Sequence, residues 1–422
     1  MGEYLSPADQ GLRAVAQGEL RARLGEGPIA IDEWFARLTI LYYDHHVIGA
    51  DFPTPPELFP EIGRSVALLA LEAFQKMGEP SEFVVYEAGG GNGTFMREFL
   101  KESVLHPIFF RALAYHEIEQ SSNLITRQSE ALLAYPELRE KVFWHRADVC
   151  SIDFPRTYAG MYIAIENDDD LPSKVVYKRN GLPSELFIVL EDGKVTQREL
   201  PASAELVQFL LDHREWWDAV PDGLQIPLPV HVESVRLRER LVRAFEKLVL
   251  FTIDYGYELT REAMHMPNWI FFQCKTFMGG QKKFFIEDDY ARMYNYAGIA
   301  NHTSNVDFSL LALPGERAGF ETVVVNHRDF LAQHGLMRFV KEQIDELIDG
   351  NRAPEATLYA HRVAQIIDRG TNDWKVLIQW RGLDGDITAG RNSKHLVSWF
   401  YRLARKYELG DLTPANRRGS MK

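Results

Sequence analysis

Glu87-Ala88-Gly89-Gly90-Gly91-Asn92-Gly93 constrains this chain more than any other stretch. The apolar run Phe83-Val84-Val85-Tyr86 precedes it, and the amphipathic run Thr94-Phe95-Met96-Arg97-Glu98-Phe99-Leu100 follows. The pattern predicts a buried strand, a glycine turn and a helix, with an acid where the strand ends. Glycines permit positive φ and carry no Cβ, so backbone N–H groups can approach a ligand closely. The helix start adds N–H donors that suit a carboxylate or a ribose oxygen. Two common nucleotide motifs fail on spacing. A dinucleotide fingerprint, G-x-G-x-x-G, ends on Thr94 if counted from Gly89 and on Met96 if counted from Gly91. A P-loop needs a closing Gly-Lys-Ser/Thr, which is absent.

An E-x-G-x-G-x-G turn between strand and helix is the arrangement that holds S-adenosylmethionine (SAM). Gly89, Gly91, Gly93 and Thr94 would form the cradle, and Glu87 would meet the methionine ammonium, directly or through water. Ala112-Leu113-Ala114-Tyr115-His116-Glu117-Ile118 reads as a second strand ending at Glu119, 26 residues after Gly93. A carboxylate there offers two acceptor oxygens to a ribose diol. Val142-Phe143-Trp144-His145 is a third apolar run, followed by Asp148 as the partner of an adenine amino group. Gly160-Met161-Tyr162-Ile163-Ala164-Ile165 is a fourth strand, ending in Glu166-Asn167-Asp168-Asp169-Asp170-Leu171-Pro172. Ligands in open α/β sheets sit beyond the carboxyl ends of strands, so this acidic cluster is expected at the cofactor's reactive end.

The other segments are read more coarsely. Leu12, Val15, Leu20 and Leu24 predict a first helix within residues 8–40, and Gly27-Pro28 separates it from a second. Residues 61–77 form another helix. Leu186–Leu190 and Lys194–Thr196 predict a hairpin around Glu191-Asp192-Gly193. Residues 203–217 read as one helix ending in Trp216-Trp217, and Pro221 to Pro229 as a loop. Residues 233–247 read as a basic amphipathic helix with a solvated Arg/Glu face. Leu248–Ile253 is a fifth strand, residues 258–285 look irregular, and Thr322–Val325 and Trp374–Gln379 complete the sheet. The expected division is 1–80 helical segment and covering loop, 81–200 cofactor-binding core, 201–235 helical insertion, and 236–422 remainder of the core with an acceptor-binding insertion at 258–310.

With 422 residues and 46% hydrophobic content the chain can bury a sizeable core. A formal charge of −13 argues against nucleic acid as a partner and leaves room for a cationic acceptor. Cys150 and Cys274 are too few for a disulfide framework or a zinc site. No apolar run approaches the roughly 20 residues of a membrane span, and Met1-Gly2-Glu3-Tyr4 lacks a signal-peptide pattern. The expectation is a cytoplasmic protein with no membrane partner and no metal.

Together these residues resemble the MidA family of SAM-dependent methyltransferases, which includes the mitochondrial complex I assembly factor acting on a protein arginine. Gly27-Pro28-Ile29 is similar to its N-terminal entry. Ile48 to Glu57 resembles its G-D-F-x-T-x-P-E segment, which closes over the cofactor; Thr54 and Glu57 are the residues carried over. His116-Glu117-Ile118-Glu119-Gln120-Ser121 and Gln128 resemble the second-strand motif, which adds Gln120 to the cofactor set. Ile253-Asp254-Tyr255-Gly256 and Val306-Asp307-Phe308 are family-like as well. The resemblance implies an α/β class I, Rossmann-like methyltransferase sheet with helices on both faces, a helical N-terminal extension, an inserted acceptor or lid region, and a homodimer. The chain departs from the family's A-N-E-x-x-D-A-x-P at Ile165, and from its D-x-T-A-H-V-D-F at Asn301 and Asn305.

Methyl transfer from SAM is an in-line displacement, so most of the gain lies in positioning the acceptor atom. Carboxylates can orient a guanidinium or amine and concentrate electron density on the attacking nitrogen. Glu166 and Asp169 lead that role, with Asp307, His302 and Tyr255 as further candidates. The leading expectation is N-methylation of a cationic acceptor on protein, peptide or metabolite. The departures keep two other readings open. One is O-methylation of a small carboxylate or hydroxyl metabolite, anchored by Lys275, His302, Arg292 or Arg179; the other is a non-enzymatic SAM-binding assembly factor.

Overall fold

The computed structural model describes residues 5–43, 45–46, 54–223, 227–259, 274–278, 281–286, 289–369, 374–387 and 394–409. Its main sheet is built outward from Phe83–Ala88, which is buried along its whole length. A parallel strand covered on both faces has no wet side, which is why the sequence there is a continuous apolar run. Phe83–Ala88 pairs in parallel with Leu113–Glu119 on one side and Thr157–Ile165 on the other. Val142–Arg146 extends the first side and Phe245–Tyr257 the second, again in parallel. Trp374–Arg381 and Glu321–Asn326 then close the second edge antiparallel. Val306–Asp307 pairs onto the end of Phe245–Tyr257 and gives the sheet eight strands among the described residues.

Strand order decides where a ligand can sit. The chain runs from Phe83–Ala88 outward to Val142–Arg146, then crosses back to Thr157–Ile165 on the other side. That reversal opens a crevice beyond the carboxyl ends of the two flanking strands. Ala88 and Ala164 are partners in register, so the glycine turn and the acidic cluster enter the same crevice.

The period of two along each strand splits the core. Val85, Met161 and Ile163 meet Val66, Leu69, Phe95 and Phe99 from the Ile62–Lys76 and Thr94–Ser103 helices. Val84, Tyr86 and Tyr162 face the other way, toward Leu237 and Leu241 of the Val232–Ala244 helix. Fully burying one such aliphatic or aromatic side chain contributes about 1.5–3 kcal/mol.

A second, five-stranded sheet contains Ile29–Ala30, Leu182–Glu191, Lys174–Arg179, Leu228–Val230 and Lys194–Pro201. The N-terminal helices Pro7–Leu24 and Ile31–Tyr43 pack on it through Leu20, Trp34 and Phe35 against Val175 and Ile188. Ser6 caps the first of them by accepting from Asp9 N at 3.1 Å, and the break falls at Gly27-Pro28 as expected. The second helix ends at Tyr43, whose side chain reaches the crevice.

Several expectations change. The hairpin forms, but in the second sheet, paired with Lys174–Arg179, a strand the sequence reading did not separate from the acidic loop. The helix expected over 203–217 breaks at His213 into Ala204–Asp212 and Arg214–Ala219. Leu228–Val230 is a strand at the end of the expected Pro221–Pro229 loop. Residues 258–285, expected to be irregular, include Cys274–Met278 and part of Gln281–Ile286, which pair with each other, and Cys274–Met278 also pairs with Asn301–Ser304 to complete a three-stranded sheet. The helix at 233–247 stops at Ala244, and its supposedly solvated face contains the buried Arg238. Ile48 to Pro53, Trp269 and Phe271 to Gln273 lie outside the described residues.

Candidate active site

A cavity of about 460 Å³ fills the crevice. Its floor is the glycine turn, where Gly89, Gly91 and Gly93 adopt φ of 66°, 56° and 78°. Side chains with a Cβ rarely tolerate that sequence of conformations. The expected use of the turn's N–H groups changes, however. Gly89 N donates to Ile118 O at 3.0 Å, Gly93 N to Gly90 O at 2.9 Å, and Gly90 N to Glu117 Oε1 at 2.8 Å. Three of the turn's donors are therefore bonded within the protein, and the glycines serve backbone shape and close approach.

Most cofactor-site candidates meet at this cavity. Thr54, Glu57, Glu87, Gly89, Gly91, Thr94, Glu119, Gln120 and Asp148 line it, whereas Gly93 sits behind, as the left-handed residue that starts the Thr94–Ser103 helix. Glu57 Oε1 accepts from Thr94 Oγ1 at 2.7 Å and Asn92 Nδ2 at 3.4 Å, tying the covering segment to the turn. Glu119 Oε1 accepts from Ser121 N at 2.8 Å, and burial pushes its carboxyl up to about 7. Asp148 accepts from Cys150 N at 2.9 Å and Ser151 Oγ at 3.1 Å within its own turn.

Glu87 is buried and accepts from Tyr115 Oη at 2.6 Å; burial raises its carboxyl above the usual carboxylate range. Beside it in register stands Glu117, fully buried and raised further, by burial first and then by the neighbouring Glu87 charge. In the sequence Glu117 stands out only as part of a family-like motif. Its signal was available in the strand pattern, since Tyr115, Glu117 and Glu119 alternate onto one face.

On the opposite wall, Glu166 lines the cavity with a left-handed φ of 47°. For a residue with a Cβ this conformation costs on the order of 1–3 kcal/mol and is characteristic of functional sites. The surroundings fix it: Glu166 N donates to Ile253 O at 2.8 Å, and Trp374 Nε1 donates to Glu166 Oε1 at 2.8 Å. The Tyr255 hydroxyl hydrogen-bonds the same carboxylate, and its ring lies 5.4 Å from that of Trp374. Burial, then the Glu166 charge, raises the Tyr255 hydroxyl well above its ordinary value.

The three aspartates that follow point to three different places. Asp168 is buried and takes both arms of Arg238, at 2.9 and 2.6 Å. Burial alone would raise its carboxyl, but the Arg238 guanidinium outweighs it and holds Asp168 below the ordinary range. Asp169, a lead candidate, is buried off the cavity wall; its N–H donates to Asp254 Oδ2 at 3.1 Å and its carbonyl accepts from Ser304 N at 2.9 Å. Asp170 lines the cavity instead. It accepts from the Tyr43 hydroxyl and from Asn301 Nδ2 at 3.1 Å, and burial pushes it up to about 6.

Two further acceptor candidates are absent from the cavity wall. Asp307 caps the Phe308–Arg317 helix, accepting from Ser309 N at 2.9 Å and Trp216 Nε1 at 2.6 Å. Burial pushes its carboxyl up to about 6. His302 is buried in the Asn301–Ser304 strand, where burial lowers its imidazole to about 3. Arg146 and Asn167, which the sequence reading passed over, do line the cavity. The Asn167 amide packs so closely on Gly89 that a Cβ there would meet its nitrogen at 2.7 Å.

A Rossmann-like parallel sheet with a glycine turn and an acid at the end of the adjoining strand defines a nucleoside-cofactor transferase of the class I methyltransferase type. Over residues 65–325 the chain matches the family described as "Putative S-adenosyl-L-methionine-dependent methyltransferase". It belongs to that family, and the MidA resemblance read from the sequence stands. The family is one of SAM-dependent methyltransferases, whose cofactor is SAM. A Drosophila melanogaster protein named "Protein arginine methyltransferase NDUFAF7 homolog, mitochondrial" is 29% identical over 212 residues, 44% of this chain and 47% of that one. The match thus spans about half the relative's length. A solved structure from Burkholderia thailandensis, described as "a COG1565 superfamily member and likely methyl transferase" bound to S-adenosyl-homocysteine, shares the fold with a TM-score of 0.73 at 21% identity, covering 92% of this chain and 97% of that one. A native structure from the same organism gives a TM-score of 0.72 with the same identity and coverage. No helix among the described residues is long and apolar enough to cross a membrane.

Proposed function

We propose that this enzyme transfers the SAM methyl group to a nitrogen of a cationic acceptor, a guanidinium or amine. The observation that carries the reading is the charge of the cavity wall. Glu57, Glu87, Glu119, Asp148, Glu166, Asp170 and Glu233 line it against one cation among the described residues, Arg146. Such a wall favours a cationic guest and disfavours a carboxylate one. The Drosophila relative's name, a protein arginine methyltransferase, agrees with a guanidinium acceptor.

In this reading the cofactor lies along the glycine turn. Glu87 meets the methionine ammonium, Glu119 accepts the ribose hydroxyls, and Asp148 meets the adenine amino group. Thr54 and Glu57 cover the site, with Gln120 beside the ribose. Bound SAM supplies an electrophilic methyl on a sulfonium. Glu166 accepts N–H bonds from the acceptor, aims its lone pair at that methyl, and receives the proton released as the nitrogen is alkylated. Trp374 and Tyr255 hold the carboxylate in one orientation, which is where positioning contributes most. Asp170 adds a second carboxylate on the same wall.

An O-methylation reading needs a cationic anchor for its substrate. Arg179 pairs with Glu199 in the second sheet, Arg292 and His302 are off the cavity wall, and the Lys275 side chain lies outside the described residues. No observation favours that reading over N-methylation. Membership in a methyltransferase family weighs against the non-enzymatic one.

The test is Glu166→Gln. Turnover is expected to fall at least about a hundredfold, the scale of one general-base contribution, while SAM affinity changes little. Wild-type turnover in Glu166→Gln contradicts the assignment.

A further inference from the structure

Glu87 and Glu117 are partners across adjacent parallel strands, and Glu87 lines the cofactor cavity. They are 3% and 0% exposed, and each carboxyl group acts on the other. An ionised carboxylate has no donor, so a bond between two carboxyl groups needs a proton on one of them. The neighbours indicate which. Glu87 accepts the Tyr115 O–H at 2.6 Å and faces the cavity. Glu117 does not line the cavity; its Oε1 accepts from Gly90 N at 2.8 Å and from Gln128 Nε2 at 3.4 Å. Its Oε2 is buried, and no N–H or O–H of the described residues donates to it.

An ionised Glu117 would place a charged oxygen without a donor in the protein interior, next to a second carboxylate. Desolvation and like-charge repulsion both oppose that state. A neutral Glu117 turns the same oxygen into a donor. Glu87 then collects two O–H donors and keeps its negative charge at the cavity wall. The other titratable groups acting on the pair, Tyr115 and Glu119, lie on Glu117's own strand. Gly90 completes the fit, because a Cβ there would stand 2.3 Å from Glu117 Oε1 and 2.7 Å from Oε2.

We propose that Glu117 is a positioning residue for the cofactor, acting as a neutral carboxylic acid that accepts the Gly90 N–H and donates its own O–H to Glu87. It couples the glycine turn and the cofactor-facing carboxylate into one rigid unit without touching the cofactor. The proposal rests on the reading of Glu87 as the ammonium's partner. Gln128 strengthens the unit by also donating to Gly91 O at 3.2 Å.

Full-length wild type, Glu117→Gln, Glu117→Ala and Glu87→Ala are compared for SAM affinity by calorimetry near neutral pH. Glutamine retains an amide donor for Glu87 and a carbonyl for Gly90, so Kd is expected to rise no more than about threefold. Alanine removes both bonds, and Kd is expected to rise about tenfold or more. Glu117→Gln as weak as Glu117→Ala would show that the anion is required and overturn the proposal. Loss of affinity in Glu87→Ala but none in Glu117→Ala overturns the positioning role and leaves the Glu87 reading intact; no loss in either overturns the Glu87 reading. The infrared difference spectrum between wild type and Glu117→Gln supplies a second readout. A carboxylic-acid C=O stretch in wild type that the variant lacks is expected, and its absence from wild type overturns the proposal even if Glu117→Ala fails to fold.

Discussion

Trp374 Nε1 donates to Glu166 Oε1 at 2.8 Å, joining the antiparallel edge of the sheet to the carboxylate at the cavity wall. The indole carries no charge and cannot accept the proton, so its contribution is orientation. Trp374→Phe keeps an aromatic ring beside Tyr255 but loses the donor. Turnover is expected to fall about tenfold, the scale of one hydrogen bond to a charged group, with SAM affinity unchanged. Steady-state kinetics alongside direct SAM binding checks this, and equal losses in both would contradict it.

The Arg238–Asp168 pair anchors the acidic loop from behind. Both side chains are buried, at 1% and 0% exposure. Removing one partner leaves the other charge unpaired in the interior and costs about 3–5 kcal/mol. Arg238→Met is therefore expected to lower the denaturant midpoint sharply. The double variant Arg238→Met with Asp168→Leu should recover part of that loss, because neither charge is left behind. A double variant no better than the single would argue against an unpaired-charge penalty.

Glu119 predicts a pH dependence. Its folded carboxyl is raised from 4.5 to about 7 by burial. A raised carboxyl contributes stability that is present below the unfolded value and lost as pH rises through about 7. Ribose hydroxyls are accepted best by the ionised form, so SAM affinity should move the opposite way. It is expected to strengthen as pH rises from the acid side toward 7, by at most about tenfold per pH unit. Glu119→Gln should bind SAM more weakly and lose most of that slope. Calorimetric titrations across this window check both statements.

Gly90 leaves no room for a side chain above Glu117. Gly90→Ala is expected to destabilise the fold by about 1–3 kcal/mol through overpacking and to weaken SAM binding. In a Glu117→Ala background the same substitution should cost less, since the obstructing carboxyl is gone. Additive effects in the double variant would contradict the contact.

The parallel core was legible because its evidence is local. Phe83–Ala88, Leu113–Glu119 and Thr157–Ile165 are apolar runs ended by glycines or acids, which is how doubly covered strands read. What escaped depends on partners distant in sequence. Arg238 looked solvated because its partner Asp168 lies 70 positions away. Asp168, Asp169 and Asp170 sit in a tight turn, where Asp170 N donates to Asn167 O at 3.2 Å. No periodicity tells which of three successive acids faces a cavity there; the sequence points to Asp169, and Asp170 lines it. Asp307 looked chemical because an acid before an apolar run is also a helix cap. Tyr43 and Trp374 join the site from elements far along the chain, through contacts that only the folded sheet creates.

The chemical fate of the methyl group tests N-methylation most directly. The enzyme is incubated with methyl-labelled SAM and fractionated cell extract, and the labelled product is treated with mild base and then hydrolysed to its component amino acids or amines. Base-stable label on the nitrogen of a guanidinium or amine is expected, absent with Glu166→Gln. Label released by mild base as methanol, the mark of a carboxyl methyl ester, would contradict it.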